Sequence, residues 1–197
     1  TAFLDLTEEE GNSLADSNNT KRALASALKE LMESTPFAKI TVSDICAKCN
    51  MNRKSFYYHF KDKFDLVNWI YDVEYLGHVK NGESLLGWDS VLHVCVYFYE
   101  NRSFYRKILK VEDQNSFQNH FREIVSPLME EDIKEILGEQ ADAEFYVNFF
   151  GDAVMCALIR WLSERNPVLP KEFVQKLQSC IQVLVKTQER LEAETVG

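Results

Sequence analysis

Apolar residues recur at helical spacing along most of this chain, and the stops between the runs divide it into a series of helices. From Ser17 or Asn19 as cap, Leu24, Ala27, Leu28 and Leu31 line one face of a first helix, which Pro36 ends. A second, short helix is predicted from Ile40 to Cys49, capped by Thr41 or Ser43, with Val42, Ile45, Cys46 and Cys49 on one side. Asn50 then stands where the chain must turn, a residue that tolerates the left-handed conformation. A third helix starts after Asn52, a good N-cap. In it Phe56 and Phe60 lie four apart and share the face that must be buried, while Arg53, Lys54, Ser55, Tyr57, Tyr58 and His59 take the rest of the circumference. A fourth begins at Lys63 and carries Phe64, Val67, Ile70, Tyr71 and Val73 towards residue 79, until Asn81 and Gly82 break it.

Longer helices follow, at about 85 to 101, 103 to 110, 115 to 137 with Pro127 as a kink, 142 to 165, and 170 to 193 opened by Pro170. The helix at 142 to 165 is apolar almost all round, and a helix of that kind is covered on every side. One face therefore packs on its own core and another on a second chain, which predicts a homodimer built from 142 to 165 and 170 to 193, with Phe145, Phe149, Ala153, Cys156 and Trp161 at the interface. Residues 1 to 18 carry five acids and no base, and read as a flexible acidic arm with at most one turn between Thr7 and Glu10. The expected organisation is that arm, a small head at 19 to 63, and a helical domain at 64 to 197 that carries the dimerisation helices.

Composition supports an all-α fold, because seven Gly and four Pro leave little from which to build hairpins or phosphate loops. Five cysteines, an odd number without regular spacing, do not form a disulfide framework and suit a reducing compartment. With no basic-flanked apolar leader and no run of 18 uncharged apolar residues, the expectation is a soluble, cytoplasmic protein with no membrane partner. Charge changes the picture more. The chain totals −9, yet residues 20 to 63 hold nine bases against four acids. A local +5 beside an acidic remainder describes a small nucleic-acid-facing unit on a body that repels DNA.

Catalysis finds no support in the motifs. There are no paired Glu-x-x-His ligands, no nucleophile elbow, no P-loop and no dinucleotide fingerprint, so an enzyme is not expected and neither is a cofactor. Cys46 and Cys49 form a C-x-x-C, but on a helix side turned to the core and with no second ligand pair nearby. His78, His93 and His120 are isolated and read as pocket or surface residues, not as a metal set.

A short capped helix, a tight turn and a second helix with bases at its start form the pattern of a helix-turn-helix, whose second helix enters the major groove. Arg53 and Lys54 can donate to guanine O6 and N7, while Tyr57, Tyr58, His59, Lys61 and Lys63 can donate to phosphate oxygens. The string ITVSDICAKCNMNRKSFYYHFKDKFDLV resembles the DNA-binding domain of the TetR family of bacterial transcriptional regulators, over roughly residues 19 to 75. That resemblance implies Thr or Ser at Ser55, aromatics at Tyr57 and Tyr58 touching backbone or thymine methyls, and phosphate contacts at His59 and Lys63. Two positions depart from the pattern: Asn50 replaces the usual Gly, and Lys54 the usual Gly or Ala. The segments FYVNFFGDAVMCALIRWL and PKEFVQKL look like the subgroup containing activators of dihydroxyacetone kinase operons.

The expected partner is double-stranded palindromic operator DNA, contacted through Thr41, Asn52, Arg53, Lys54, Ser55, Tyr57, Tyr58, His59, Lys61 and Lys63. An effector pocket is expected among Tyr71, Tyr75, His78, Tyr97, His120, Phe121 and Tyr146. The primary functional expectation is a repressor released by a small-molecule effector. The alternative is an activator controlled by a protein coactivator bound to the C-terminal domain.

Overall fold

The structure is a computed structural model that describes residues 2–77, 87–111, 116–137 and 142–195. Among them there is no strand, and nine α-helices follow one another: α1 (Ala2–Ser34), α2 (Val42–Lys48), α3 (Arg53–His59), α4 (Lys63–Tyr71), α5 (Gly87–Glu100), α6 (Arg102–Ile108), α7 (Phe117–Leu137), α8 (Ala143–Ser163) and α9 (Pro170–Thr195). A 3-10 turn at Phe37–Lys39 precedes α2, and a π-helical turn, Asp72–Leu76, continues α4. Pro127 lies inside α7. Asn81 and Gly82, expected to end the fourth helix, lie outside the described residues.

Two features differ from the sequence reading. Residues 2–18, expected as a flexible arm, form the first part of α1. A helix already nucleated and packed at Leu24 and Leu28 is extended at little cost by helix formers such as Leu4, Leu6, Glu8, Glu9 and Glu10. The π-helical turn is the second: the Gly77 N–H reaches back five residues to the Asp72 carbonyl, so α4 carries one residue more per turn there than periodicity would assign.

The chain divides into two compact units, Thr1–His78 with Lys107–His120, and Val79–Arg106 with Phe121–Gly197. In the first unit Leu24, Leu28 and Met32 of α1, Phe37, Ile40, Ile45, Phe56, Phe60, and Leu66, Val67 and Ile70 of α4 are buried. The whole of α4 belongs to this unit, whereas the sequence had drawn a boundary at residue 63. α1 has no base in its last turn, and Lys107 supplies one by donating to the carbonyls of Met32 and Glu33 where the helix ends. The π-helical turn is tied down by an ion pair from Lys29 to Glu74 and by His120 Nε2, 2.7 Å from an Asp72 carboxylate oxygen.

The second unit is centred on Trp161. Its ring stacks on Phe173 at 4.2 Å and on Tyr99 at 5.8 Å, and its N–H donates to the Val168 carbonyl at 2.9 Å. Arg102 closes the end of α8 by donating to the carbonyls of Leu162 and Glu164. α8 is long and apolar enough, by length and composition, to cross a membrane. It is nonetheless two-sided: Val147, Met155, Leu158, Trp161 and Leu162 are buried within the chain, while Phe145, Phe149, Ala153 and Cys156 are exposed.

Candidate nucleic-acid interface

Local chemistry shapes the segment from Thr41 to Lys63 before any tertiary contact does. Thr41 and Asp44 form a capping box: the Asp44 N–H donates to the Thr41 hydroxyl oxygen at 3.2 Å, and the Thr41 N–H and hydroxyl donate to an Asp44 carboxylate oxygen at 2.8 and 2.7 Å. Those hydrogen bonds hold the Asp44 carboxyl below its ordinary range. At the other end of α2, Asn50 takes φ of +57°, the Met51 N–H bonds the Cys46 carbonyl at 2.8 Å and the Asn50 N–H bonds that of Ala47 at 3.3 Å. This double closure is the one usually built on glycine, and asparagine is the side chain that best replaces it. The Asn52 side chain then caps α3, accepting from the Ser55 N–H at 2.9 Å and from its hydroxyl at 3.3 Å.

The helix so oriented is anchored by Phe56 and Phe60, whose rings lie 5.8 Å apart, with Trp69 edge-on to Phe60. Arg53, Lys54, Tyr57 and Tyr58 face outward, with Ser55 and His59 half-buried between the two faces. Tyr58 is 83% exposed and Tyr57 50%, values unusual for aromatic rings unless something is to pack on them. Arg53 and Lys54 are exposed and Ser55 half-buried. The Arg53 guanidinium donates to the Tyr57 hydroxyl at 3.2 Å and lies 5.7 Å from the centre of its ring, so this exposed donor is held one turn from its partner. Lys61 is exposed, and its backbone N–H donates to an Asp65 carboxylate oxygen at 2.8 Å. His59 packs against the Tyr58 ring; partial burial and the nearby Lys21 charge push its imidazolium form down.

Besides the Arg53–Tyr57 and Ser55–Asn52 hydrogen bonds within α3 and its cap, three more of the expected contact residues are used to hold the motif together. The Thr41 hydroxyl is used in the capping box and the Asn52 amide oxygen in the α3 cap. The Lys63 ammonium, expected on a phosphate, donates to the carbonyls of Phe37 and Ile40, each at 2.8 Å, and of Ala38 at 3.4 Å. The two caps were legible from local spacing; the Lys63 engagement was not, because its carbonyls lie 23 to 26 residues away.

Cys46 and Cys49 direct their thiols to backbone carbonyls, those of Asn52 and of Ile45 and Cys46 respectively, and burial pushes both thiols up, away from the thiolate a metal would need. No group of three His, Cys, Asp or Glu placed to hold a metal ion occurs among the described residues.

The residues expected to line an effector pocket are distributed over both units. In the first, Tyr71 stacks on Tyr75 at 5.2 Å and meets Phe117 edge-on, and His120 pairs with Asp72. In the second, Tyr97 and Phe121 share Phe98 as a neighbour, and the Tyr97 hydroxyl bonds that of Tyr105 at 2.8 Å. Tyr146 is half-buried on α8, and His78 lies outside the described residues. The expected dimer set divides differently. Phe145 and Phe149 are 61% and 58% exposed with parallel rings, and Ala153 and Cys156 continue their stripe, but Trp161 is buried at 2% in its own chain. Apolar character all round a helix does not show which ring goes inward.

A helix-turn-helix with a basic, aromatic outer face on its second helix defines the class: a DNA-binding transcriptional regulator. Residues 24–70 match the family model described as bacterial regulatory proteins, tetR family, and residues 88–183 match a transcriptional regulator C-terminal region. The chain belongs to the TetR family of transcriptional regulators. It is 26% identical over 160 residues, 79% of this chain and 86% of the relative, to the HTH-type dhaKLM operon transcriptional activator DhaS of Lactococcus lactis subsp. lactis (strain IL1403). Two solved structures share the fold. A TetR transcriptional regulator from Streptococcus agalactiae 2603V has a TM-score of 0.67 at 20% identity, covering 87% of this chain and 98% of that one. A dihydroxyacetone kinase operon activator DhaS has a TM-score of 0.53 at 23% identity, covering 83% and 97%.

Proposed function

We propose that two copies of this chain bind a palindromic operator in the cytoplasm, each placing α3 in a major groove. The observation that carries this reading is the outer face of α3, where Arg53, Lys54, Tyr57 and Tyr58 stand exposed on a helix whose Phe56 and Phe60 are buried. Arg53 and Lys54 discriminate bases with Ser55 and Tyr57 assisting, and Tyr58, His59 and Lys61 set position on the backbone. Thr41 and Asn52 act from behind, as the caps that hold α2 and α3 at their angle. The stripe of Phe145, Phe149, Ala153 and Cys156 on α8 is the surface proposed to meet its symmetry mate.

Selection of duplexes from a random pool tests the readout. A palindromic consensus should emerge, and Arg53→Ala should relax it at one position per half-site at a cost of about 1 to 3 kcal/mol. A consensus unchanged in Arg53→Ala would remove that residue from the reading set.

The two modes of control remain separate proposals. Similarity to a transcriptional activator supports activation, with a protein bound to the C-terminal unit as its proposed control; the aromatic sets around Tyr71 and Tyr97 support release by a small molecule. Operator binding measured with cell extract before and after removal of protein separates them. Loss of the effect with the protein fraction supports the coactivator, and its survival supports the small molecule.

A further inference from the structure

We infer that Lys63 is a positioning residue that fixes the start of α2, and that it does not bind a DNA phosphate. An ammonium has three N–H donors, and here three carbonyls take them: Phe37 and Ile40 at 2.8 Å and Ala38 at 3.4 Å. The same ammonium sits 4.5 Å from the centre of the Phe37 ring and 5.9 Å from that of Phe64, so aromatic faces flank it. Phe37 and Ile40 are themselves buried, at 1% and 2% exposure, which prevents this segment from following a lysine that swings outward.

The three carbonyls belong to the 3-10 turn and to the residue just before Thr41, the N-cap of α2. That stretch has few internal hydrogen bonds of its own; Lys39 N–H to Pro36 and Ile40 N–H to Phe37 are its turn contacts. Charge-assisted bonds from one lysine therefore tie the entrance of α2 to the first residue of α4. Between those two points lie α2, the Asn50 turn and α3. Lys63 thus closes the motif at its base, and holds the angle at which α3 is presented. A phosphate contact would require the ammonium to exchange at least one of these oxygens for a phosphate.

This inference rests on the DNA-binding reading for its consequence but not for its geometry, and two measurements keep them apart. The first follows the Lys63 ammonium by 1H–15N NMR in free protein and on a 30-bp duplex recovered from the random pool, with a mixed-sequence duplex if none is recovered. The expected signature is a slowly exchanging ammonium with scalar couplings to the Phe37 and Ile40 carbonyl carbons, unchanged when DNA is added. Coupling to 31P in the complex would overturn the inference, as would a freely exchanging ammonium in the free protein.

The second measures affinity for that duplex as a function of salt. Lys63→Met, which keeps the stem and removes the donors, should lower affinity on the order of tenfold while leaving the salt slope unchanged. Its effect should also be non-additive with that of Thr41→Ala. A slope smaller by about one, with additive effects, is the phosphate-ligand result and overturns the positioning role. Should Lys63→Met not fold, the NMR signature of the wild-type complex decides alone. If the wild-type protein binds neither duplex, the proposed function fails, and the carbonyl couplings of the free protein still decide where the ammonium sits.

Discussion

Single side chains in the motif divide into those that hold it and those that face outward, and the two kinds fail differently. Asn52→Ala removes the α3 cap and should cost about 1 kcal/mol, visible in a urea titration. Asp44 is held below its ordinary range by Thr41, so its contribution is present above the unfolded carboxylate range and is lost as pH falls through the lower folded value. Asp44→Asn should therefore be less stable than wild type at neutral pH, and thermal melts of the two should converge in acid. For His59 the linkage runs through DNA. Its imidazolium is disfavoured in the free protein, a phosphate would favour it, and binding should take up a proton, so affinity rises from about pH 7.5 to 6. A His59→Gln variant with the same pH dependence in a filter-binding series would exclude that contact. The outward-facing set was legible because Phe56 and Phe60, four apart, fix which face of α3 is buried. The engagement of Lys63 was not, because local spacing carries no information about carbonyls more than twenty residues away.

At the level of helices, legibility followed the strength of the apolar repeat. α2 and α3 lie close to where caps and breakers placed them, since Thr41, Asn50 and Asn52 act locally. α1 runs further toward the N-terminus than expected, because an acidic stretch without an apolar repeat can still be extended from a helix already formed. On α8 the register of faces needed tertiary information, and Trp161 is where the assignment was misplaced. Trp161→Ala should cost about 3 to 5 kcal/mol in chemical denaturation, because it removes the stack on Phe173 and Tyr99 from the buried side. Gly151, on the same helix, has nothing within 4 Å of where a Cβ would stand. Gly151→Ala should accordingly stabilise the chain by up to about 1 kcal/mol through helix propensity, provided the symmetry mate leaves the same space, and a calorimetric melt at low and high concentration reads both.

For the whole molecule, the exposed Phe145 and Phe149 set the expectation that assembly and DNA affinity are linked. Replacing both with aspartate should give a monomer in sedimentation, and operator affinity should drop by about 100-fold or more as two linked half-site contacts become one. A dimer surviving that change would move the interface elsewhere. The π-helical turn after α4 bears on a different property, the chain's tolerance of length changes. One residue beyond the α-helical count is accommodated between Asp72 and Gly77, so a deletion of one residue there can be absorbed locally by closing the turn to an ordinary α-helix. The helical hydrogen bonds would be kept, and because the turn gives up only the residue it holds in excess, the direction in which the helix leaves it would be kept too. Asp72 to Leu76 is thus a place where a gene shortened by one codon could still encode a folded first unit, a tolerance that the regular turns of α4 do not have.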